Sequence, residues 1–180
     1  MGSAKFLEKN HAVNLNLISD GTTGEQWIKR LENQGHILNL EVKGLLMSPQ
    51  FIATKGERWE VVILKRTPEK ALILKREEIL AEAKTLHLVS VNLEISCLLR
   101  EELSLDWLTH LNLQRIFVFS ENTDLAIFGS SHFRSFLDTP NLLRAGCFGY
   151  VFRKPCLKEL SHNGWDFKSI NKELSLKNHS

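Results

Sequence analysis

The sequence predicts an α+β fold in which N-terminal helices pack on a mainly antiparallel sheet. Before about residue 112, apolar residues recur mostly at helical spacing between capping residues and glycines. The later apolar runs are short, rich in phenylalanine and separated by Asn, Asp, Ser, Gly and Pro, as in strands. With 180 residues, of which 43% are hydrophobic, the chain can form a core of its own. We expect a flexible N-terminal segment over 1–21, a single α+β domain over 22–154 and a C-terminal appendage over 155–180.

The clearest helix signal lies in DGTTGEQWIKRLENQGH, which predicts a helix over about 24–34. Thr22 and Glu25 have the spacing of a capping box, and Gly35 is a stop signal. The next segment, LEVKGLLMSPQF, predicts a short second helix that Gly44 weakens and that Ser48-Pro49 closes.

Three more helices are predicted before residue 112. REEILAEAKTLH favours a helix over 76–87, because its apolar residues have helical spacing between charged neighbours. NLEISCLLREEL favours another, with Asn92 within reach of the N-cap. Ser104 and Asp106 open a further short helix.

Strands are predicted from runs rich in β-branched and aromatic residues. RWEVVILKR predicts a strand over about 59–65, and ALILK is a weaker candidate for a returning strand. CFGYVF does not alternate between apolar and polar residues, so neither face of this segment is expected to contact solvent. It is therefore expected to be an interior strand that ends at charged residues and at Pro155. The four phenylalanine-rich runs give strands near 115–119, 124–129, 132–137 and 147–153.

The sequence favours no metal, cofactor or membrane partner. The three cysteines form no C-x-x-C pair, and the seven histidines show neither H-x3-H nor H-E-x-x-H spacing. Neither G-x-G-x-x-G nor G-x4-G-K is present, so no phosphate-binding loop is expected. The first 20 residues lack the apolar block of a signal peptide, and no membrane-spanning run occurs. The expected location is cytoplasmic.

The chain resembles a group of short bacterial proteins of unknown function. The similar stretches are TTGEQWIKRLENQGH, LLMSPQF, EEILAEAKTLHL and NLEISCLLREELS, followed by FGYVF, and they extend over residues 22–153. They include no catalytic signature, so the resemblance implies no activity, substrate or site residue. The chain also departs from the group: FRSFLDTPNLLRAG replaces a segment rich in glycine and aspartate, and FVFSENTDL retains only Glu121 of a His-Glu-Pro run.

A basic cluster is the first candidate for a binding site. Seven cations lie between Lys55 and Arg76, against three acidic residues, and Trp59 lies among them. Several cations on one surface, with an aromatic ring for stacking, are typical of nucleic-acid binding. The alternative is a solvated rim around a buried strand, which we favour because Trp59 begins an apolar strand. The residues predicted to contact nucleic acid, if any do, are Lys65, Arg66, Lys75 and Arg76.

Two other groups carry chemistry-bearing side chains. Glu94, Arg100 and Glu101 lie on one predicted helix, where ion pairs with another element are the expected role. His132, with nearby serines, Asp138 and Cys147, supplies the residue types of a hydrolase, but adjacent strand residues point to opposite faces. No catalytic residue is therefore predicted.

The function expected by elimination is a small non-enzymatic cytoplasmic protein that binds another macromolecule, most simply a protein. It would do so through an exposed face of the helical half or through the tail. One alternative is a nucleic-acid-binding module that uses the basic cluster over 55–76. The other is a hydrolase or nuclease with a site that matches no familiar motif.

Overall fold

The computed structural model describes residues 7–9, 12–66, 76–103, 105–119, 124–128, 132–135 and 147–156. Within these residues the chain forms five helices and eight strands. The helices are α1 (Gly24–Asn33), α2 (Leu40–Leu46), α3 (Arg76–Thr85), α4 (Leu93–Glu102) and α5 (Leu105–His110). The strands are β1 (Leu7–Lys9), β2 (Ala12–Asp20), β3 (Ile37–Leu38), β4 (Lys55–Arg66), β5 (Leu113–Phe119), β6 (Asp124–Phe128), β7 (His132–Ser135) and β8 (Cys147–Arg153).

All eight strands belong to one sheet, in the order β1-β2-β4-β8-β5-β6-β7-β3. Five of its seven strand pairings are antiparallel, and the pairs β5–β8 and β3–β7 are parallel. The predicted α+β fold with a mainly antiparallel sheet is confirmed. The interior position of 147–153 is also confirmed, because β8 lies between β4 and β5. Tyr150, Val151 and Phe152 are buried there.

Both faces of the sheet are covered, and β4 contributes to each of them. Val61 and Ile63 belong to a large apolar cluster that also contains buried residues of α1, α2, α4 and α5. Val62 and Leu64 belong to a second cluster on the opposite face, with Ile79 and Ala83 of α3. Successive residues of a strand point to opposite faces of the sheet. Because both faces are covered, β4 is apolar on both sides.

The expected flexible segment over 1–21 is wrong for residues 7–9, which form β1, and for residues 12–20, which form β2. This strand pairs with β4 along most of its length, from Ala12 opposite Leu64 to Asp20 opposite Lys55. Val13, Leu15 and Leu17 are buried and alternate with more exposed residues. AVNLNLISD therefore carries the alternation of a strand with one buried face. Residues 157–180, most of the expected appendage, lie outside the described residues.

The predicted helices are confirmed, but the cap of α1 is one residue later than expected. Thr23, not Thr22, is the N-cap, and it exchanges hydrogen bonds with Gln26 in a capping box. Thr22 instead donates from its hydroxyl and its backbone N–H to Asp20. The candidate strand ALILK lies over residues 71–75, outside the described residues.

Candidate functional site

One face of α2 is apolar and exposed. Leu40 is 87% exposed and Met47, the C-cap residue, is 60% exposed. Seven residues complete nearly two helical turns, so these side chains lie above one another. Val42 and Leu46 occupy the opposite face and are buried in the large core cluster. The chain itself thus covers one side of α2 and leaves the other side open.

Gly44 lies between Leu40 and Met47 on this exposed face. A Cβ atom built on Gly44 meets nothing within 4 Å among the described residues. Glycine inside a helix costs roughly 0.5–1 kcal/mol relative to alanine. Packing among the described residues therefore does not explain the glycine. The result is a gap flanked by two large apolar side chains.

Two further exposed apolar residues lie on either side of α2 in the chain. Ile37 is 54% exposed and belongs to β3, the terminal strand of the sheet. Ile52 is 68% exposed and follows the turn after α2. We refer to Ile37, Leu40, Gly44, Met47 and Ile52 together as the α2 surface.

Polar contacts fix the position of α2. The side chain of Asn39 caps the helix and accepts a hydrogen bond from the backbone N–H of Val42 at 3.0 Å. Lys43 forms an ion pair of 2.6 Å with Glu32 of α1. The α2 surface is therefore presented on a helix that is both capped and tied to its neighbour.

Arg30 connects α1 to α4 and to the end of β2. Its guanidinium donates two bonds of 2.6 Å to the two carboxylate oxygens of Glu101 and a third bond of 2.6 Å to Asp20. Gln34 also donates to Glu101, at 2.8 Å. Burial alone would raise the pKa of Asp20, but hydrogen bonds from Thr22 and Arg30 outweigh it and lower that pKa to about 2. Arg30 thus joins the carboxylates of two different elements, Asp20 of β2 and Glu101 of α4.

A second contact joins the chain after α1 to a buried cation of α4. Arg100 is 1% exposed, and its Nε and Nη2 atoms lie 3.3 and 2.9 Å from Nδ1 of His36. Burial, together with the positive charge of Arg100, lowers the pKa of His36. His36 directly precedes β3, so this contact lies at the base of the α2 surface.

Glu94 forms the third contact of α4 with this part of the chain. It is 1% exposed and accepts hydrogen bonds from the backbone N–H of Thr54 at 2.8 Å and from its hydroxyl at 2.6 Å. Burial raises the pKa of Glu94, and the bonds from Thr54 oppose that change. Glu94, Arg100 and Glu101 thus each bind a residue of the segment between α1 and β4. Of the three, Glu101 forms the expected ion pair with another element, through Arg30, whereas Glu94 and Arg100 form hydrogen bonds with Thr54 and His36.

Among the described residues, the cations of the basic cluster extend along the whole length of β4. Lys55 and Arg66 are the two ends of β4, roughly 35 Å apart at the rise of an extended strand. Arg66 forms an ion pair with Glu82 and donates to the carbonyl of Lys65 at 2.7 Å. The guanidinium of Arg76 lies 5.8 Å from the centre of the Phe119 ring, and Lys75 lies outside the described residues.

Trp59 is half-buried and packs against the large core cluster, as its strand position predicted. The Arg153 guanidinium lies 5.4 Å from its ring centre. One side of the ring therefore already has a cation over it, which leaves less of the ring for stacking on a base.

The other chemistry-bearing residues give no site in the described parts of the chain. The structure does not describe the side chains of His132 and Cys147, and Asp138 lies outside the described residues altogether. Burial raises the pKa of the Cys97 thiol, which opposes thiolate chemistry. Within the described ranges, no three His, Cys, Asp or Glu side chains are grouped as metal ligands. Nor does any helix there have the length and apolar character needed to cross a membrane.

The sequence carries a signal for the α2 surface in the spacing of its apolar residues. On a helical wheel Val42 and Leu46 share one side, and Leu40 and Met47 fall on the other. Apolar residues on both sides of a short helix indicate a second contact.

No family model, curated protein or solved structure matches the chain. The resemblance to short bacterial proteins of unknown function stays a prediction from the residues quoted above. A function therefore has to be inferred from the surface chemistry of the described residues.

Proposed function

We propose that the chain is a non-enzymatic protein that acts by binding another protein, and that the α2 surface is its binding surface. The observation that carries this proposal is the pair of exposed side chains, Leu40 and Met47, on either side of the gap at Gly44. Full burial of such a side chain contributes roughly 1.5–3 kcal/mol, so covering this pair would favour association.

The partner segment that fits best is an amphipathic helix. A gap between two apolar residues one heptad apart accepts one large apolar side chain of a facing helix, as in knobs-into-holes packing. Glycine at position 44 allows that helix to approach the backbone of α2 closely. The ion pair of Lys43 with Glu32 supplies a polar margin beside the apolar contact.

The fold also lowers the cost of binding. The cap at Asn39 and the pair with Glu32 hold α2 in place before any partner arrives. A surface that is already ordered loses little conformational entropy on association. The buried contacts of α4 with His36 and Thr54 fix the chain on both sides of α2.

The test is site-specific photo-cross-linking in the native host, with the photoreactive residue at position 47 or, as the matched control, at Leu86. Leu86 is also exposed, at 44%, but it follows α3 and lies outside the α2 surface. We expect a discrete protein adduct at position 47 only, mapped by mass spectrometry to an amphipathic helical segment. Gly44→Leu, which fills the gap, is expected to remove that adduct.

Three outcomes would contradict the proposal. Equal adducts at positions 47 and 86 would indicate non-specific contact. An adduct that disappears on nuclease treatment would favour the nucleic-acid alternative. An adduct that persists in Gly44→Leu would show that the gap is not part of the interface.

A further inference from the structure

His36 stands where α1 ends and the segment of the α2 surface begins. Its backbone N–H donates to the carbonyl of Leu31 at 3.0 Å, after Gly35 has turned the chain with a φ of +82°. This bond completes the helix end, in a conformation that glycine adopts readily. The backbone of His36 is therefore bound to α1, while its ring faces Arg100 of α4.

The contact with Arg100 defines the protonation state of the ring. A guanidinium has five N–H donors and no acceptor, so Nδ1 of His36 must carry a lone pair to receive a hydrogen bond. A protonated imidazole carries hydrogen on both nitrogens and cannot accept this bond. Protonation would also place two cations next to each other.

We infer that His36 and Arg100 form a pH-sensitive latch that holds the connection between α1 and β3 against α4 when His36 is neutral. Arg100 is buried, so its guanidinium has no ready access to water if His36 becomes charged. The relief available to the protein is to move His36, which is more exposed and lies in a connection between elements. Movement of His36 loosens the connection between α1 and β3, whereas α2 keeps its cap at Asn39 and its ion pair with Glu32 of α1.

Among the described side chains, the charged groups that act on His36 are Arg100 and Glu101, both from α4. Burial and Arg100 disfavour the imidazolium, whereas Glu101 favours it. Glu101 is already bound by Arg30 of α1 through two hydrogen bonds, which offsets much of its negative charge. The balance leaves the pKa of His36 below its ordinary value of 6.5.

The direction of the pH effect follows from that lowered pKa. Above about pH 6.5 the ring is neutral in both the closed and the released states, and the latch contributes its full stability. As the pH falls below 6.5, the released state takes up the proton first and the closed state is disfavoured. The loss continues until the pH passes the lowered pKa of the closed state. The consequence for partner binding rests on the proposed function, but the latch itself does not.

Hydrogen exchange of the whole chain tests the latch without any partner. Backbone exchange of residues 34–38 is measured at pH 7.5 and at pH 5.5 and corrected for the intrinsic pH dependence of exchange. We compare the wild type with His36→Gln, which keeps an acceptor but does not titrate, and with His110→Gln, which removes an exposed histidine. In the wild type and in His110→Gln, opening should increase by up to ~10-fold per pH unit below 6.5. His36→Gln should show no such increase, and an equal pH response in all three proteins would overturn the latch.

Nitrogen-15 NMR of the imidazole gives a second readout that needs no variant to fold. At pH 7.5 we expect Nδ1 of His36 to be unprotonated and Nε2 to carry the hydrogen. A protonated Nδ1, or a ring that titrates at or above 6.5, would overturn the inference. Cross-linking at position 47 keeps the two proposals apart. A missing adduct beside a normal pH response contradicts the proposed function alone, and a retained adduct beside a flat pH response contradicts the latch alone.

Discussion

Gly24 and Leu46 are in direct contact through the backbone: a Cβ atom added at Gly24 would lie 1.7 Å from the carbonyl oxygen of Leu46. The first residue of α1 thus touches the last residue of α2. A side chain of any size at position 24 would force the two helices apart. Glycine is required here for space.

Gly24→Ala and Gly44→Ala are therefore expected to have opposite effects. The first should lower the free energy of unfolding by about 1–3 kcal/mol, because the overpacked contact involves backbone that cannot yield easily. The second should raise it by roughly 0.5–1 kcal/mol, because alanine is the better helix former and has open space around it. Urea denaturation at neutral pH measures both. Destabilisation by Gly44→Ala would show that the gap is needed within the chain itself.

Because Arg30 contacts Glu101, we expect removal of Arg30 to destabilise the fold more than removal of Lys29, the neighbouring cation of α1. Arg30→Met should lower the free energy of unfolding by about 1–2 kcal/mol, because it leaves a half-buried carboxylate without its bidentate partner. Lys29→Met removes only an exposed ion pair with Glu25, so its effect on stability should be much smaller. Thermal unfolding of both variants provides the comparison. Equal thermal midpoints for the two variants would mean that solvent screening weakens both ion pairs equally.

Asp20 predicts loss of stability in acid. The pKa of this carboxyl is about 2 in the folded chain, against an ordinary value of 3.8. Ionisation of Asp20 therefore favours the folded state over the unfolded state. This contribution is present above about pH 3.8 and is lost as the pH falls towards 2. Asp20→Asn should therefore flatten the decline of the urea midpoint between pH 4 and pH 2. A decline as steep as that of the wild type would place the responsible group elsewhere.

Removing charge from the basic cluster is expected to have little effect on nucleic-acid affinity. If the cluster is a solvated rim, as we favour, neutralising Lys65, Arg66, Lys75 and Arg76 together should leave any weak binding to DNA or RNA unchanged. Arg66 is already paired with Glu82. If the four cations do contact phosphates, their loss should flatten the dependence of log affinity on log salt by roughly 3–4 units. Fluorescence anisotropy over a range of salt concentrations distinguishes the two results. Lys55→Gln, at the other end of β4, serves as the control variant.

Local patterns predicted most of the elements because their causes are local. Asn92 caps α4 three residues before the N–H that it binds, and the apolar character of CFGYVF follows directly from burial on both faces. β2 was not predicted. Its alternation of buried and more exposed residues identifies a strand only once β4 is known to pair with it. The contact of His36 with Arg100 joins residues 64 positions apart, and no helical or strand period connects them. The exposure of Leu40 likewise depends on which neighbours the fold does not supply.

The central position of β8 couples completion of the sheet to translation. β8 is the last of the eight strands in chain order, yet it pairs with β4 through Val62 and Phe152 and with β5 through Phe117 and Tyr150. While the ribosome is still making residues 147–153, β1-β2-β4 and β5-β6-β7-β3 can only be separate half-sheets, each with an unpaired edge. Such edges are templates for pairing with other chains. A nascent chain stalled before Cys147 should therefore need a chaperone that the finished chain does not.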